Sequence, residues 1–190
     1  MFVGEVLGMW VTSFQKLMVG SSIDSAVSCL LNNDGSLTWL LQKITSNKVQ
    51  FNLISSTGIA SNIDGLDYVD SVVGCDFILR NIVWSYATQN IVYASSIISR
   101  QAYNYLNDAH AMDRPIGELL FADNTIARSQ FEFALVTSDH ELYCQMRADN
   151  VAIAQDECLI ARRRKFYLLQ NMPLIVTEVF FINKLGIILG

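Results

Sequence analysis

The sequence predicts an α+β domain built on an antiparallel sheet, and three observations carry that prediction. Phe77–Tyr86 and Asn90–Ser99 are apolar, β-branched and aromatic runs around Ala87-Thr88-Gln89, the pattern of a hairpin. Cys158–Leu168 and Leu174–Phe181 form a second pair around Gln170-Asn171-Met172-Pro173. Other segments, the first 31 residues above all, space their apolar residues by three and four, the helical period. Strands joined by short turns, with helices before and between them, describe α+β rather than a regular alternation.

The remaining elements follow in order. Residues 1–31 repeat Leu, Val, Met and Phe at mixed spacing and predict helix, beginning with an amphipathic helix over Met1–Leu17. Asn32-Asn33-Asp34-Gly35-Ser36 is a turn, and Ser36 is placed to cap a helix over Leu37–Lys43. Val49–Ser55 alternates as a strand, with Val49, Phe51 and Leu53 on one side, and polar Thr57–Asp70 predicts a loop. Tyr103–Leu106 begins a helix or turn. Arg114-Pro115-Ile116-Gly117 leads tightly into a short helix, Glu118–Phe121, and Arg128–Val136 predicts a strand. With no repeat and no low-complexity tract, residues 1–190 are expected to be one domain, long enough for a full core.

Composition excludes several functions. Mean hydropathy is high at +0.31, yet no run reaches the ~18 apolar residues of a membrane span. Met1–Leu17 has no basic n-region, no cleavage-like site and no Arg, so neither a signal nor a transit peptide is expected. A net charge of −5 opposes nucleic-acid binding. Its one basic cluster, Arg162-Arg163-Arg164-Lys165, reads first as solvated, although alternation in a strand would split it between two faces. Cys29, Cys75, Cys144 and Cys158 are too scattered for a zinc or redox motif and predict reduced thiols. His110 and His140 fall in polar, loop-like segments that offer neither a triad nor a metal site.

Two charges stand out against this background. Glu178 interrupts the apolar run Pro173–Ile182, and Arg80 interrupts Phe77–Trp84. A buried carboxylate is costly unless it is satisfied, so the two are expected to face each other across a small pocket. A plain salt bridge is the competing explanation, since breaking a buried pair costs about 3–5 kcal/mol without any catalysis.

Set in order, Asp34-Gly35-Ser36-Leu37-Thr38, Leu79-Arg80, Arg114-Pro115-Ile116-Gly117-Glu118-Leu119-Leu120-Phe121, Arg162-Arg163 and Pro173–Phe180 resemble the chorismate pyruvate-lyase family over Leu31–Ile182. The resemblance is to its cyanobacterial and algal-plastid branch, which implies a cytoplasmic or plastid-stromal location. It implies a single antiparallel sheet with helical flaps over an internal ligand cavity. The implied reaction removes pyruvate from chorismate to leave 4-hydroxybenzoate, a quinone precursor, without metal or organic cofactor. By the same resemblance Arg80 contacts the ligand, Glu178 meets its ring hydroxyl, and Leu37 and Ile116 contact it mainly through backbone. Desolvation would push the Glu178 carboxyl up and a nearby Arg80 would pull it down, leaving its protonation state open. The chain departs from the family at Ser95, where an Arg is usual, and at Ser99, where Pro is usual. The missing cation has candidate replacements in Arg162 and Arg163. A non-catalytic binder of a small aromatic acid, or a structural protein with a simple Arg80–Glu178 bridge, are the alternatives.

Overall fold

Seven strands form one antiparallel sheet in the computed structural model, which describes residues 9–17, 23–59, 76–109, 112–168 and 172–189. They are β1 (Gln50–Ile59), β2 (Phe77–Tyr86), β3 (Gln89–Ser99), β4 (Ala127–Arg128), β5 (Glu132–Leu135), β6 (Leu159–Leu168) and β7 (Met172–Phe181). The order is β1-β2-β3-β7-β6-β4, with β5 also paired to β6. β2, β3 and β7 are central and covered on both faces, which is why they read as nearly continuous apolar runs. β1 lies at the edge and leaves Leu53 and Ile54 exposed.

The helices are α1 (Phe14–Leu17), α2 (Ser25–Leu31), α3 (Leu37–Ile44), α4 (Arg100–Asp108), α5 (Ile116–Ala122), α6 (Glu141–Ala148) and α7 (Ile182–Leu189). Two apolar clusters lie on one sheet face. The first gathers Leu31, Leu37, Leu41, Trp84, Val92 and Phe180; the second gathers Leu106, Ile116, Leu120, Phe166 and Leu174. On the opposite face α6 packs Leu142 and Met146 against Val83, Tyr93, Val179 and Phe181.

Several expectations hold, among them the antiparallel α+β class and the strand pairs β2–β3 and β6–β7. Ser36 caps α3, its hydroxyl accepting from the Trp39 amide at 3.3 Å. Others are corrected. The helical region expected over 1–31, with its first helix over Met1–Leu17, is interrupted among the described residues: a backbone bridge joins Val11 to Phe133 before α1 and α2. Asp24 starts α2 by accepting from the Ala26 amide at 2.7 Å. Of the loop expected at Thr57–Asp70, Thr57–Ile59 instead extends β1, and the rest lies outside the described residues.

The single strand expected over Arg128–Val136 is two, β4 and β5, broken at 129–131 where Ser129 bonds the backbone of Lys165. Sequence reading assigned neither α6 nor α7. His140 ends the loop before α6, and there it is buried and caps the helix, its Nδ1 accepting from the Leu142 amide at 3.1 Å. His110 and Cys75 lie outside the described residues. Ser99 caps α4 through the Ala102 amide, a task proline could not perform.

The β2–β3 turn carries a testable strain. Ala87 and Thr88 sit at φ +47° and +67°, the left-handed pair of a two-residue hairpin loop, where Asn-Gly is favoured. A β-branched Thr there is an outlier. Replacing the pair (Ala87→Asn with Thr88→Gly) is expected to stabilise the fold by about 1 kcal/mol, read by thermal denaturation.

Candidate active site

Cross-strand register builds the site. One rung of the sheet reads Arg80 on β2, Ser96 on β3, Val176 on β7 and Arg164 on β6. The next rung on the same face, two residues along each strand, reads Ile82, Ala94, Glu178 and Arg162. These residues floor a cleft holding about 580 Å³ of atom-free space, part of it open to solvent. Leu37 and Thr38 of α3 roof it, with Pro115, Ile116, Gly117 and Leu120 at and around α5. A Cβ on Gly117 would lie 3.7 Å from Thr38 Oγ1, an ordinary contact, so the two roofing helices meet closely here without requiring glycine.

Arg80 is 1% exposed. Its Nε and Nη2 donate to the Met112 carbonyl at 3.2 and 2.9 Å, and Nη2 also to the Arg114 carbonyl at 2.9 Å. The segment leading into α5 is thereby tied to the cavity floor. Nη1 is buried with no hydrogen-bond partner among the described residues. Burial pushes the Arg80 guanidinium down from its ordinary value to about 10, against the pull of Asp113 and Tyr103. It is still a cation at neutral pH, and a carboxylate in the cleft would supply both a partner for Nη1 and the missing counter-charge.

Glu178 shares the cleft with Arg80 but is not bonded to it. Its Oε2 accepts from Arg162 Nε at 2.5 Å. The competing explanation, a plain Arg80–Glu178 salt bridge, fails on register: Arg162 is the direct cross-strand neighbour of Glu178, whereas β3 separates Arg80 from β7. Arg162 Nη1 donates to the carbonyls of Leu31 and Asn33 at 2.9 and 2.8 Å, with a longer contact to Leu30. A cation at the C-terminal end of α2 also suits the helix dipole. Arg162 is thus held rigidly by the protein, and it presents Glu178 to the cleft.

The basic run is buried rather than solvated, and alternation divides it as the strand period requires. Arg162 and Arg164 line the cleft; Arg163 lies on the other face, with Glu132 at 2.8 Å and its guanidinium 4.0 Å from the Trp10 ring. Arg164 is anchored at Nη2 by Asp34 at 2.8 Å, while Nε and Nη1 are buried without partners among the described residues. Burial lowers its pKa, and Asp34 counters in part. Sequence reading missed Arg164 as a site residue; the signal available was its i+2 spacing from Arg162.

Ser95, which stands where the resemblance places an Arg, is not on the cleft face of β3. A bulge between Trp84 and Ser85 shifts the hairpin register, so Ser96 and not Ser95 opposes Arg80. Ser95 faces away, its hydroxyl accepting from Gln145 Nε2 at 3.1 Å. On that rear face Asp149 accepts from Asn81 Nδ2 and the Tyr93 hydroxyl, each at 2.8 Å, and pins α6 behind Arg80. Burial and the Asp149 carboxylate push the Tyr93 phenol up, so it remains a donor.

In sum of charge, Arg80, Arg162 and Arg164 line the cleft against Glu178 alone, with the largely exposed Asp34 beyond. A polyanion fits this balance better than a neutral ligand. Among the described residues no three His, Cys, Asp or Glu side chains converge as metal ligands. Cys29, Cys144 and Cys158 are free thiols, and none of the described helices is long and apolar enough to cross a membrane.

Comparisons agree with this construction. A family model described as chorismate lyase matches residues 10–186. A probable chorismate pyruvate-lyase of Coxiella burnetii (strain RSA 493 / Nine Mile phase I) is 29% identical over 156 residues, 79% of this chain and 80% of that protein. Among solved structures, the effector-binding domain of the B. subtilis trehalose repressor TreR matches at TM-score 0.51 and 6% identity, covering 71% of this chain and 92% of that one. The effector domain of PhnF from Mycobacterium smegmatis matches at 0.50 and 9%, covering 74% and 88%. At such identities the structural likeness concerns the fold alone. The matched residues 10–186 span every strand and the entire cleft, and on that match the chain belongs to the chorismate lyase family.

Proposed function

We propose that this protein eliminates pyruvate from chorismate to release 4-hydroxybenzoate, a quinone precursor, in the cleft between Arg80 and Glu178. One observation carries the reading: a buried Arg80 with an unpartnered donor, in a cleft whose cations outnumber its carboxylate. Chorismate brings two carboxylates, an enolpyruvyl ether and a ring hydroxyl, and losing pyruvate aromatises its ring. The driving force is therefore the substrate's own.

The residues act by holding one conformer. Arg80 takes the ring carboxylate through a charge-assisted bond at Nη1. Glu178, fixed through Oε2 by Arg162, offers Oε1 to the ring hydroxyl. The roof supplies backbone contacts at Leu37 and Ile116, the Leu37 amide belonging to a first helical turn whose N–H groups suit an anion. The hydrogen on the hydroxyl-bearing carbon then moves to the enolpyruvyl methylene as the ring carbon–oxygen bond breaks. That oxygen becomes the ketone of pyruvate, and the ring closes its third double bond. Such positioning supplies up to ~7–11 kcal/mol of the barrier. The elimination requires no metal or organic cofactor.

The test is incubation of purified protein with chorismate in the presence of a chelator, followed by chromatographic separation. Equal amounts of 4-hydroxybenzoate and pyruvate, above a protein-free control, are expected. Chorismate unchanged while 4-hydroxybenzoate raises Tm would overturn catalysis and leave a binder of small aromatic acids.

A further inference from the structure

We propose that Arg164 is the second carboxylate anchor of this cleft, holding the enolpyruvyl carboxylate while Arg80 holds the ring carboxylate; the proposal rests on the lyase reading above. Arg164 is 5% exposed, stacks 3.7 Å from the Phe131 ring, and is tethered at Nη2 by Asp34. Its Nε and Nη1 are buried without a partner among the described residues, although the side chain lines the cleft. Unmet charged donors at a cavity wall are groups awaiting an acceptor.

The two neighbouring arginines of the run are less available for this task. Arg162 has committed Nε to Glu178 and Nη1 to three backbone carbonyls, and Arg163 is on the opposite face. β3, which separates Arg80 from β7, presents only Ser96 and Ala94 to the cleft.

The rung geometry assigns the two carboxylates. Arg80 and Arg164 stand at the ends of one rung, three strand spacings or roughly 14 Å apart at the backbone, with only Ser96 and Val176 between them. Two long side chains reaching inward leave room for one ring between their guanidiniums. Glu178 lies on the next rung, one strand from Arg164 and two from Arg80. In the substrate the ring hydroxyl is adjacent to the enolpyruvyl ether and across the ring from the ring carboxylate. Seating the hydroxyl on Glu178 therefore brings the ether's carboxylate toward Arg164 and sends the ring carboxylate to Arg80. Product keeps only the carboxylate on Arg80, so Arg164 discriminates substrate from product.

The test uses two ligands that cannot react, 4-hydroxybenzoate and 4-hydroxyisophthalate, which adds a carboxylate beside the hydroxyl. Titration calorimetry on the wild-type chain should show the dicarboxylate bound ~10–100-fold more tightly, the scale of one charge-assisted bond. In Arg164→Met the preference should fall to within ~3-fold while 4-hydroxybenzoate binds as before. Asp34→Asn, which removes the tether and leaves the donors, should retain most of the preference. Should Arg164→Met fail to melt cooperatively, Arg164→Lys decides, with an intermediate preference expected because it keeps charge but not the fork.

A wild-type protein without the preference overturns the proposal. So does Arg164→Met that retains it or loses both ligands equally, or Arg164→Lys with the full preference. An Arg164-dependent preference in a protein that leaves chorismate intact would sink the lyase reading and keep the subsite. Turnover without the preference would do the reverse.

Discussion

Arg80→Ala is expected to lower kcat/KM for chorismate by ~1,000-fold or more, about 4 kcal/mol of transition-state binding. Two losses combine. The substrate loses its buried guanidinium, and the Met112 and Arg114 carbonyls lose the donor that ties the approach to α5 to the floor. The fold should survive. Among the described residues Arg80 has no salt-bridge partner, and burying its charge already works against the native state. Below pH 10 the group is charged folded and unfolded alike, so that cost is fully present at neutral pH. It fades as pH rises above about 10, where only the unfolded chain still holds the proton. Tm of Arg80→Ala should accordingly stay within ~5 °C of wild type, a site group traded against stability. Steady-state kinetics beside a melting curve checks both halves, and near-normal turnover would remove Arg80 from the site.

Glu178→Gln should behave oppositely in stability. It strips the carboxylate from Arg162, which is 1% exposed and otherwise bonded only to neutral carbonyls. Leaving such a buried ion without its partner costs about 3 kcal/mol, at the low end because the amide oxygen still accepts. For a chain of this length that is a fall of ~6–12 °C in Tm. Turnover should fall by ~10–100-fold, because a neutral amide accepts the ring hydroxyl less strongly. A Glu178→Gln protein as stable and as active as wild type would contradict both roles. The two variants thereby separate an arginine kept for ligand from a carboxylate that serves fold and ligand together.

The sheet was legible in the sequence because its central strands are apolar on both faces and its hairpin is short. The Ser36 cap was legible because the bond is local, three residues from donor to acceptor. What escaped depends on register. A one-residue bulge at Trp84/Ser85 decides that Ser96 and not Ser95 opposes Arg80, and no residue type announces it. The ion-pair partner of Glu178 stayed hidden for the same reason: its neighbour is set by how β6 pairs with β7, and two lone charges in sequence say nothing of a third strand between them. Arg162-Arg163-Arg164 looked solvated because charge runs usually are, yet its burial is satisfied by acceptors on other elements: residues 30–34 for Arg162 and Arg164, Glu178 for Arg162 and Glu132 for Arg163. α6 lies over the sheet's rear through a weak apolar pattern, two buried residues in eight.

The most direct measurement of the central claim is a crystal structure with 4-hydroxybenzoate bound. The carboxylate should sit within hydrogen-bond distance of Arg80 Nη1, and the hydroxyl on the Glu178 oxygen not held by Arg162, with Leu37 and Ile116 closing over the ring. A ligand bound elsewhere, or one in this cleft touching neither Arg80 nor Glu178, would contradict the account.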